Sequence, residues 1–555
     1  MSTNSSFTVS DYLFSRLKSL NVDHVFGIPG DFILPFFEMM VDSEVEHVAA
    51  CNELNAGYAA DGYARLRGLS AVAVTYGPGS FSLVNAVAGA YAESVPMLVI
   101  SGAPKTEAFK ASPRPILHHL MGTNYEANVR IFEQVTAHAK TITNAAEAAA
   151  EIDKALEICL AEQKPVFLEI PSDLQIAPCE KPQPREFTLG RNSDASALPK
   201  VLDQLTKRVT DGKRTVILPG HELHRYNLQE NVTELVNKTE LPIGTMFIGK
   251  ADFIEQSPHC IGLYQGAGSH ADVKEYVDTA DTVIFLGSVP SDFNLGGFTS
   301  GLTEGQCVHV YENEVRMNGK TFENIAIADI VDGLLESLPA NCGKDDNKPV
   351  HGFSHKTVTP YEADPSAKMT NKRFYDRMAH FLQPTDVIMA DAGCAINSSH
   401  LQLPERTSMV SSCYWASIGM GFGATLGACF AADDDQRIIA MEGDGSFQMT
   451  AQELGSMTRY GKSPIIFIVN NSGYTAERLI HDGPFNDIAN WKYHKLPEAF
   501  GGKGIDVHTE MELEEALEEA ANYNGIGALV IEVHVDPFDA SEAFILMSET
   551  LRKKD

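Results

Sequence analysis

Short apolar runs alternate along this chain with longer segments whose apolar residues return at helical spacing. In the first part, residues 22–28 (VDHVFGI), 45–51 (VEHVAAC), 71–76 (AVAVTY) and 96–101 (PMLVIS) read as buried strands. The intervening DYLFSRLKSL, FILPFFEMM, ELNAGYAADGYARLRG and SFSLVNAVAGAYAES read as helices. Buried strands separated by helices of this length predict parallel βαβ units in a doubly wound sheet. The pattern then repeats twice. Residues 215–220, 241–246, 282–288 and 308–312 predict a middle sheet, and 386–390, 437–441, 463–469 and 528–534 a third.

Two polar, proline-containing stretches, 176–199 and 339–371, interrupt the pattern and read as linkers. A chain of 555 residues also exceeds what one apolar core accommodates. The expectation is an α/β protein of three doubly wound parallel-sheet domains: 1–180, 195–340 and 360–555. Open sheets of this kind bind ligands beyond the carboxyl ends of their strands, so the loops there matter most.

The sharpest chemical signal lies at two such ends in the third domain. Gly443-Asp444-Gly445-Ser446 follows one strand, and Asn470-Asn471 ends the next. Asp444 offers an anionic oxygen and Asn471 a neutral amide oxygen, a donor set that suits Mg²⁺ together with a bound phosphate. Gly443 and Gly445 let the backbone approach a diphosphate, and the following helix points its positive end there. Alone, GDGS is also an ordinary turn. In the first domain, Glu53 opens a helix rich in Ala and Gly. Alone, it is also a first-turn glutamate that stabilises the helix dipole.

GDG followed by NN, 27 residues apart, is similar to the thiamine diphosphate fingerprint of the pyruvate decarboxylase superfamily. The segment NELNAGYAADGYAR resembles its activating-glutamate motif. Three further features resemble the 2-keto acid decarboxylase branch: Gly27-Ile28-Pro29-Gly30-Asp31, the tandem His118-His119, and Asn471-Ser472-Gly473-Tyr474-Thr475-Ala476-Glu477 with Ile480-His481-Asp482-Gly483-Pro484. The likeness runs over essentially the whole chain. It implies thiamine diphosphate held through Mg²⁺ by Asp444, Asn471 and Gly473, with Gly443, Gly445, Ser446, Asn471 and Tyr474 at the cofactor. Ile418 matches the apolar residue that bends the cofactor, and Ala416 a carbonyl position that is usually Gly. Glu53 would protonate the aminopyrimidine so that the ylid forms. Glu477 would handle the oxygen and carboxylate of the intermediate, and Asp31, His118 and His119 protonation of the enamine and aldehyde release. Since the glutamate and the metal come from partner chains in this superfamily, the resemblance implies a homodimer with composite sites, paired into a homotetramer.

Several positions depart from the family. Ala476 stands where Ile or Val is frequent, Asp391-Ala392-Gly393-Cys394-Ala395-Ile396 replaces a motif with Glu and a large aromatic, and Gly296-Gly297 replaces bulkier residues. Leu120 follows the His pair where Thr is usual. With Ile480, the positions Gly296, Ala392, Ile396 and Ala476 form the expected substrate pocket. Each methylene trimmed from it is worth roughly 0.8 kcal/mol, which favours longer aliphatic, branched or aromatic 2-keto acids over pyruvate. Phe298, Phe485 or Met420 could refill that space.

The rest of the sequence narrows the alternatives. A net charge of −31 argues against nucleic acid and anionic membranes as partners. There is no secretory leader and no run of 18 apolar residues, and nine cysteines lie without metal-ligand spacing, so a cytoplasmic protein is expected. Cys51, Cys394 and Cys413 read as small buried hydrophobes. An acetolactate-synthase-like carboligase would lack the His pair and Glu477 arrangement. A silent cofactor-binding protein would have lost an acid–base residue, and a nucleotide-dependent dehydrogenase would carry GxGxxG after its first strand.

Overall fold

The computed structural model describes residues 7–349 and 360–552, so residues 350–359 of the second linker lie outside the described residues. The chain forms two compact units, Met1–Leu189 with Gly423–Asp433, and Gly190–Phe422 with Asp434–Asp555. The first unit holds one sheet and the second holds two.

The first sheet contains β1 (His24–Gly27), β2 (Glu46–Ala49), β3 (Ser70–Val74), β4 (Met97–Ala103), β5 (His138–Thr141) and β6 (Val166–Pro171). Its order is β2-β1-β3-β4-β6-β5, parallel throughout. The direction of winding changes at β1, which places the loops after β1, β2 and β3 side by side at the carboxyl edge. These loops carry Asp31, Glu53 and Thr75. β3 and β4 are buried along their whole length, as continuous apolar runs in a two-sided sheet should be.

The middle sheet contains β7 (Thr215–Pro219), β8 (Ile243–Thr245), β9 (Cys260–Leu263), β10 (Thr282–Leu286), β11 (Cys307–Tyr311), β12 (Glu314–Met317) and β13 (Lys320–Glu323). The order is β13-β12-β11-β10-β7-β8-β9. Its parallel core matches the expectation, but β11, β12 and β13 pair antiparallel. Asn318 and Gly319 both adopt positive φ between β12 and β13, the conformation of a tight hairpin turn.

The third sheet contains β14 (Val387–Ala390), β15 (Ser408–Ser411), β16 (Ile438–Gly443), β17 (Ile465–Asn470), β18 (Lys503–Val507) and β19 (Leu529–His534). Its order is β15-β14-β16-β17-β19-β18, again wholly parallel. Winding reverses at β14. The adjacent carboxyl ends of β14, β16 and β17 therefore present Asp391, Asp444 and Asn471 together. Among the described residues, no helix is long and apolar enough to cross a membrane.

The small residues after Glu53 have a use within their own unit. The helix Glu53–Arg67 starts on Asn52, whose side chain accepts the Asn55 N–H at 2.9 Å, and ends on Gly68 in the left-handed conformation. A Cβ on Gly62 would meet the Ala424 carbonyl oxygen at 2.3 Å, and one on Gly427 would meet that of Ala59 at 1.8 Å. The two backbones touch because neither carries a side chain at the crossing. Gly427→Val should destabilise the protein by about 1–3 kcal/mol through overpacking. Urea unfolding measures this, and an unchanged midpoint would contradict the crossing.

Candidate active site

At the ends of β16 and β17 three oxygens converge. Asn471 turns its amide oxygen toward the Gly473 carbonyl at 2.7 Å and toward Asp444 Oδ1 at 3.1 Å. In this orientation the amide itself offers no proton to either acceptor. Rotated by half a turn, the amide would instead donate to both and accept from Thr475 Oγ1 at 2.9 Å. An acceptor-only cluster gains from a cation at its centre, and octahedral Mg²⁺ with bonds of about 2.0–2.1 Å spaces adjacent oxygens by close to these distances. The residues present therefore fit a divalent metal, which Asp444, Asn471 and Gly473 would hold.

The chain fixes these oxygens from several sides. Asp444 is 1% exposed, and its carboxylate accepts the Gly445 N–H at 2.8 Å and the Gly473 N–H at 3.1 Å. Burial pushes its carboxyl up to about 7, a desolvation cost that a bound cation would reverse. Buried Arg478 donates to the carbonyl oxygens of Asn471 and Ser472 at 3.0 and 2.7 Å and to Asp487 at 2.9 Å. It clamps the loop from below. A Cβ on Gly445 would fall 2.5 Å from the Tyr474 ring, so the ring lies directly on that glycine. Ser446 is buried beside Gly443.

Asp391 closes the site from β14. Its carboxylate caps the helix Ala392–Asn397 and accepts N–H groups from Gly419 at 2.8 Å and Gly421 at 3.2 Å. This holds the loop that carries Ala416 and Ile418. Ala416 adopts φ +55°, a left-handed conformation that explains a usual Gly there. Ile418 is 40% exposed, beside exposed Tyr414 and Trp415. Glu442, the penultimate residue of β16, is fully buried, and neither carboxyl oxygen finds a donor among the described residues. Burial and the facing Asp391 hold its carboxyl well above the usual range, while burial pushes Asp391 up to about 6.

In the first unit, Asp31, His118 and His119 form one cluster. His118 Nε2 lies 2.7 Å from Asp31 Oδ2, and His119 Nδ1 lies 3.9 Å from Asp31 Oδ1. Phe32 stacks on His118 with ring centroids 5.1 Å apart. His119 takes φ +69°, and its ring lies at 69° to that of His118 with centroids 4.4 Å apart. Glu53 is half-buried at the first position of its helix, with Oε1 reaching over Gly79. Glu477, in the second unit, is exposed on the short helix Thr475–Ile480.

The expected pocket residues divide. Ala476 and Ile480 are half-buried beside Glu477, and Ala392 is half-buried beside Gly393, around whose missing side chain there is open space. Ile396 is 3% exposed and belongs to the apolar core. Gly296 takes φ +55°, and its Cβ would strike the Gln265 carbonyl oxygen at 2.3 Å. Its identity is therefore set by a tight turn. Of the residues expected to refill space, Phe298 and Phe485 are exposed and Met420 is buried. Sequence reasoning missed the roles of Arg478 and Glu442. Glu442 could have been noticed as a carboxylate inside an apolar strand, whereas Arg478 carries no comparable signal.

The pH dependence of stability tests the protonated state of Glu442. Its folded pKa is raised, so the folded chain keeps a proton that the unfolded chain releases above about pH 4.3. Stability from this group is present at low pH and is lost as pH rises toward the folded value. Glu442→Gln lacks that loss. In the Mg²⁺-free protein, its thermal midpoint relative to the unsubstituted chain should climb between about pH 4 and pH 7. A pH-independent difference would show that Glu442 ionises normally.

Comparison with known proteins places these elements in a family. Residues 7–129 match the thiamine pyrophosphate enzyme N-terminal TPP binding domain, 202–338 the central domain and 391–533 the C-terminal TPP binding domain. The chain is 34% identical over 98% of both lengths to pyruvate decarboxylase isozyme 1 of Saccharomyces cerevisiae. It is 31% identical to a pyruvate decarboxylase of Aspergillus fumigatus, over 99% of this chain and 97% of that one. A putative thiamin diphosphate-dependent enzyme from Mycobacterium smegmatis has the same fold, with a TM-score of 0.77 at 19% identity, over 96% of this chain and 99% of the other. With three matching domains in order and relatives alike from end to end, the chain belongs to the thiamine pyrophosphate enzyme family.

Proposed function

We propose that this protein is a carboxy-lyase that converts 2-keto acids without oxidation to the aldehyde and CO₂, using thiamine diphosphate and Mg²⁺. The observation that carries this reading is the contact of Asp31 with His118 and His119, a proton-handling cluster that a carboligase does not need. The full-length likeness to pyruvate decarboxylases points the same way. The divisions 1–180, 195–340 and 360–555 correspond to pyrimidine-binding, middle and diphosphate-binding domains in this reading.

When bound, thiamine diphosphate supplies a carbon nucleophile and an electron sink for the pair released with CO₂. Asp444, Asn471 and Gly473 would hold the Mg²⁺, and Gly443, Gly445, Ser446 and Tyr474 would line the diphosphate site. Ile418 and the Ala416 carbonyl orient the rings. Glu53 holds a proton toward the aminopyrimidine, and its half-buried state in one chain agrees with completion of its pocket by a second copy. The assembly is a homodimer with composite sites, paired into a homotetramer. Glu477 holds the substrate carboxylate and oxygen. Asp31 and His119 deliver the proton that ends up on the aldehyde carbon, and His118, stacked on Phe32, orients Asp31 and relays protons.

Ala476 beside Glu477 and the open space at Gly393 support a preference for longer aliphatic, branched or aromatic acids. The names of the relatives favour the second reading, pyruvate itself. The purified protein, assayed with thiamine diphosphate and Mg²⁺ through a coupled alcohol dehydrogenase, should release aldehyde from a panel of 2-keto acids. Higher kcat/KM on 2-ketoisovalerate, 2-ketooctanoate or phenylpyruvate than on pyruvate is expected. A preference for pyruvate would keep the reaction and reject the enlarged pocket, and no aldehyde from any acid would reject the decarboxylase. Glu477→Gln and His119→Ala should each lower kcat by about 10²–10⁴-fold, measured in the same assay. Undiminished rates would remove these residues from proton transfer.

A further inference from the structure

A second group of imidazoles and carboxylates lies farther along the carboxyl edge of the third sheet, at the ends of β18 and β19. β18 and β19 run parallel with Asp506 opposite Glu532, and Val507 opposite Val533. Alternate residues of a strand share a face. Asp506 and Glu532 therefore share theirs with His508 and His534, two positions further on, while the valines enter the core. His494, in the turn Tyr493–Lys495, reaches over the same face.

The distances describe a compact cluster. His534 Nε2 lies 2.7 Å from Asp506 Oδ1, and His508 Nε2 lies 3.4 Å from Asp506 Oδ2. The His508 and His534 rings stack with centroids 4.0 Å apart. One ligand atom from each of Asp506, His508 and His534 falls within 4.8 Å of the other two. Behind them, Glu532 is 1% exposed and already engaged: it accepts from Asn470 Nδ2 at 2.6 Å and from the His494 backbone N–H at 3.0 Å, and its Oε2 lies 2.6 Å from His494 Nδ1. Its Oε1 stands 3.4 Å from His534 Nε2. The arrangement has an exposed donor triad, and the buried Glu532 adds negative charge behind it at 3.4 Å from His534 Nε2 while its short contact fixes His494.

We propose that Asp506, His508 and His534 form a site for a divalent transition metal of the zinc class, separate from the Mg²⁺ of the cofactor. Two imidazoles with one carboxylate select borderline cations such as Zn²⁺, whereas Mg²⁺ prefers oxygen donors alone. The metal takes the place of the proton that now joins His534 to Asp506, and that proton leaves to solvent. His508, with an exposed side chain held mainly by ring stacking, rotates to complete the set. Solvent water fills the remaining positions.

The test is calorimetric titration of the full-length, Mg²⁺-saturated protein with Zn²⁺. Asp31, His118 and His119 offer similar ligand types, so the comparison includes His118→Ala and Asp444→Asn. One equivalent of Zn²⁺ per chain should bind the unsubstituted protein and both of these variants alike. His508→Ala and His534→Ala should bind it about 100-fold more weakly. His508→Ala alters a surface side chain and leaves the fold intact, which circular dichroism checks. Absence of stoichiometric Zn²⁺ binding, or binding undiminished by His508→Ala and His534→Ala, would overturn the site. So would loss of binding in His118→Ala or Asp444→Asn instead.

Discussion

The Asn471 amide sits 2.7 Å from the Gly473 carbonyl oxygen and 3.1 Å from Asp444 Oδ1 and can serve them in two ways. Its nitrogen donates to both, or, turned by half a turn, its oxygen joins them in an acceptor-only cluster that suits a cation. Here Asp444, Asn471 and Gly473 are held in that arrangement by much of the third domain. The parallel register of β16 and β17 sets their two strand ends side by side. Arg478 ties down the carbonyl oxygens of the loop after β17, and buried Asp391 fixes the neighbouring loop through the backbone of Gly419 and Gly421. Each of these interactions is polar and removed from water. Together they hold a corner that the Asn471 amide nitrogen satisfies when turned inward, and that would take a cation when its oxygen is turned inward instead.

The first unit solves a different problem with the same sheet logic. Reversal of winding at β1 gathers Asp31, Glu53 and the loop after β3 at one edge. The His118–His119 loop supplies imidazoles to Asp31, and the left-handed conformation of His119 lets two consecutive side chains approach one carboxylate. In the proposed function, proton handling and metal holding would fall to separate sheets, each through loops at carboxyl edges. This division explains why the two sets of residues lie so far apart in sequence.

Much of this was legible in the sequence. Twelve strands were anticipated from apolar runs, and each has a counterpart; most are buried on both faces, which leaves a continuous apolar signature, whereas β6, equally buried, was not among those anticipated. β5, β15 and β18 are edge strands with partly polar faces and gave no such run. The β12–β13 hairpin was announced by Asn318-Gly319 but went unread beside the stronger parallel pattern. Gly296 shows the opposite hazard. A glycine that looks like a trimmed pocket wall is there because the backbone must turn against Gln265. The reading of the strand as 437–441 stopped one residue short of Glu442, whose burial depends on tertiary packing. Arg478 likewise looks like a surface residue until the loop folds over it.

In the proposed function, Asp444, Asn471 and Gly473 anchor the cofactor through a cation. Calorimetric titration of the purified chain with thiamine diphosphate, with Mg²⁺ and again after chelation, tests it directly. The account predicts saturable binding only when Mg²⁺ is present, and equally tight binding after chelation would contradict it.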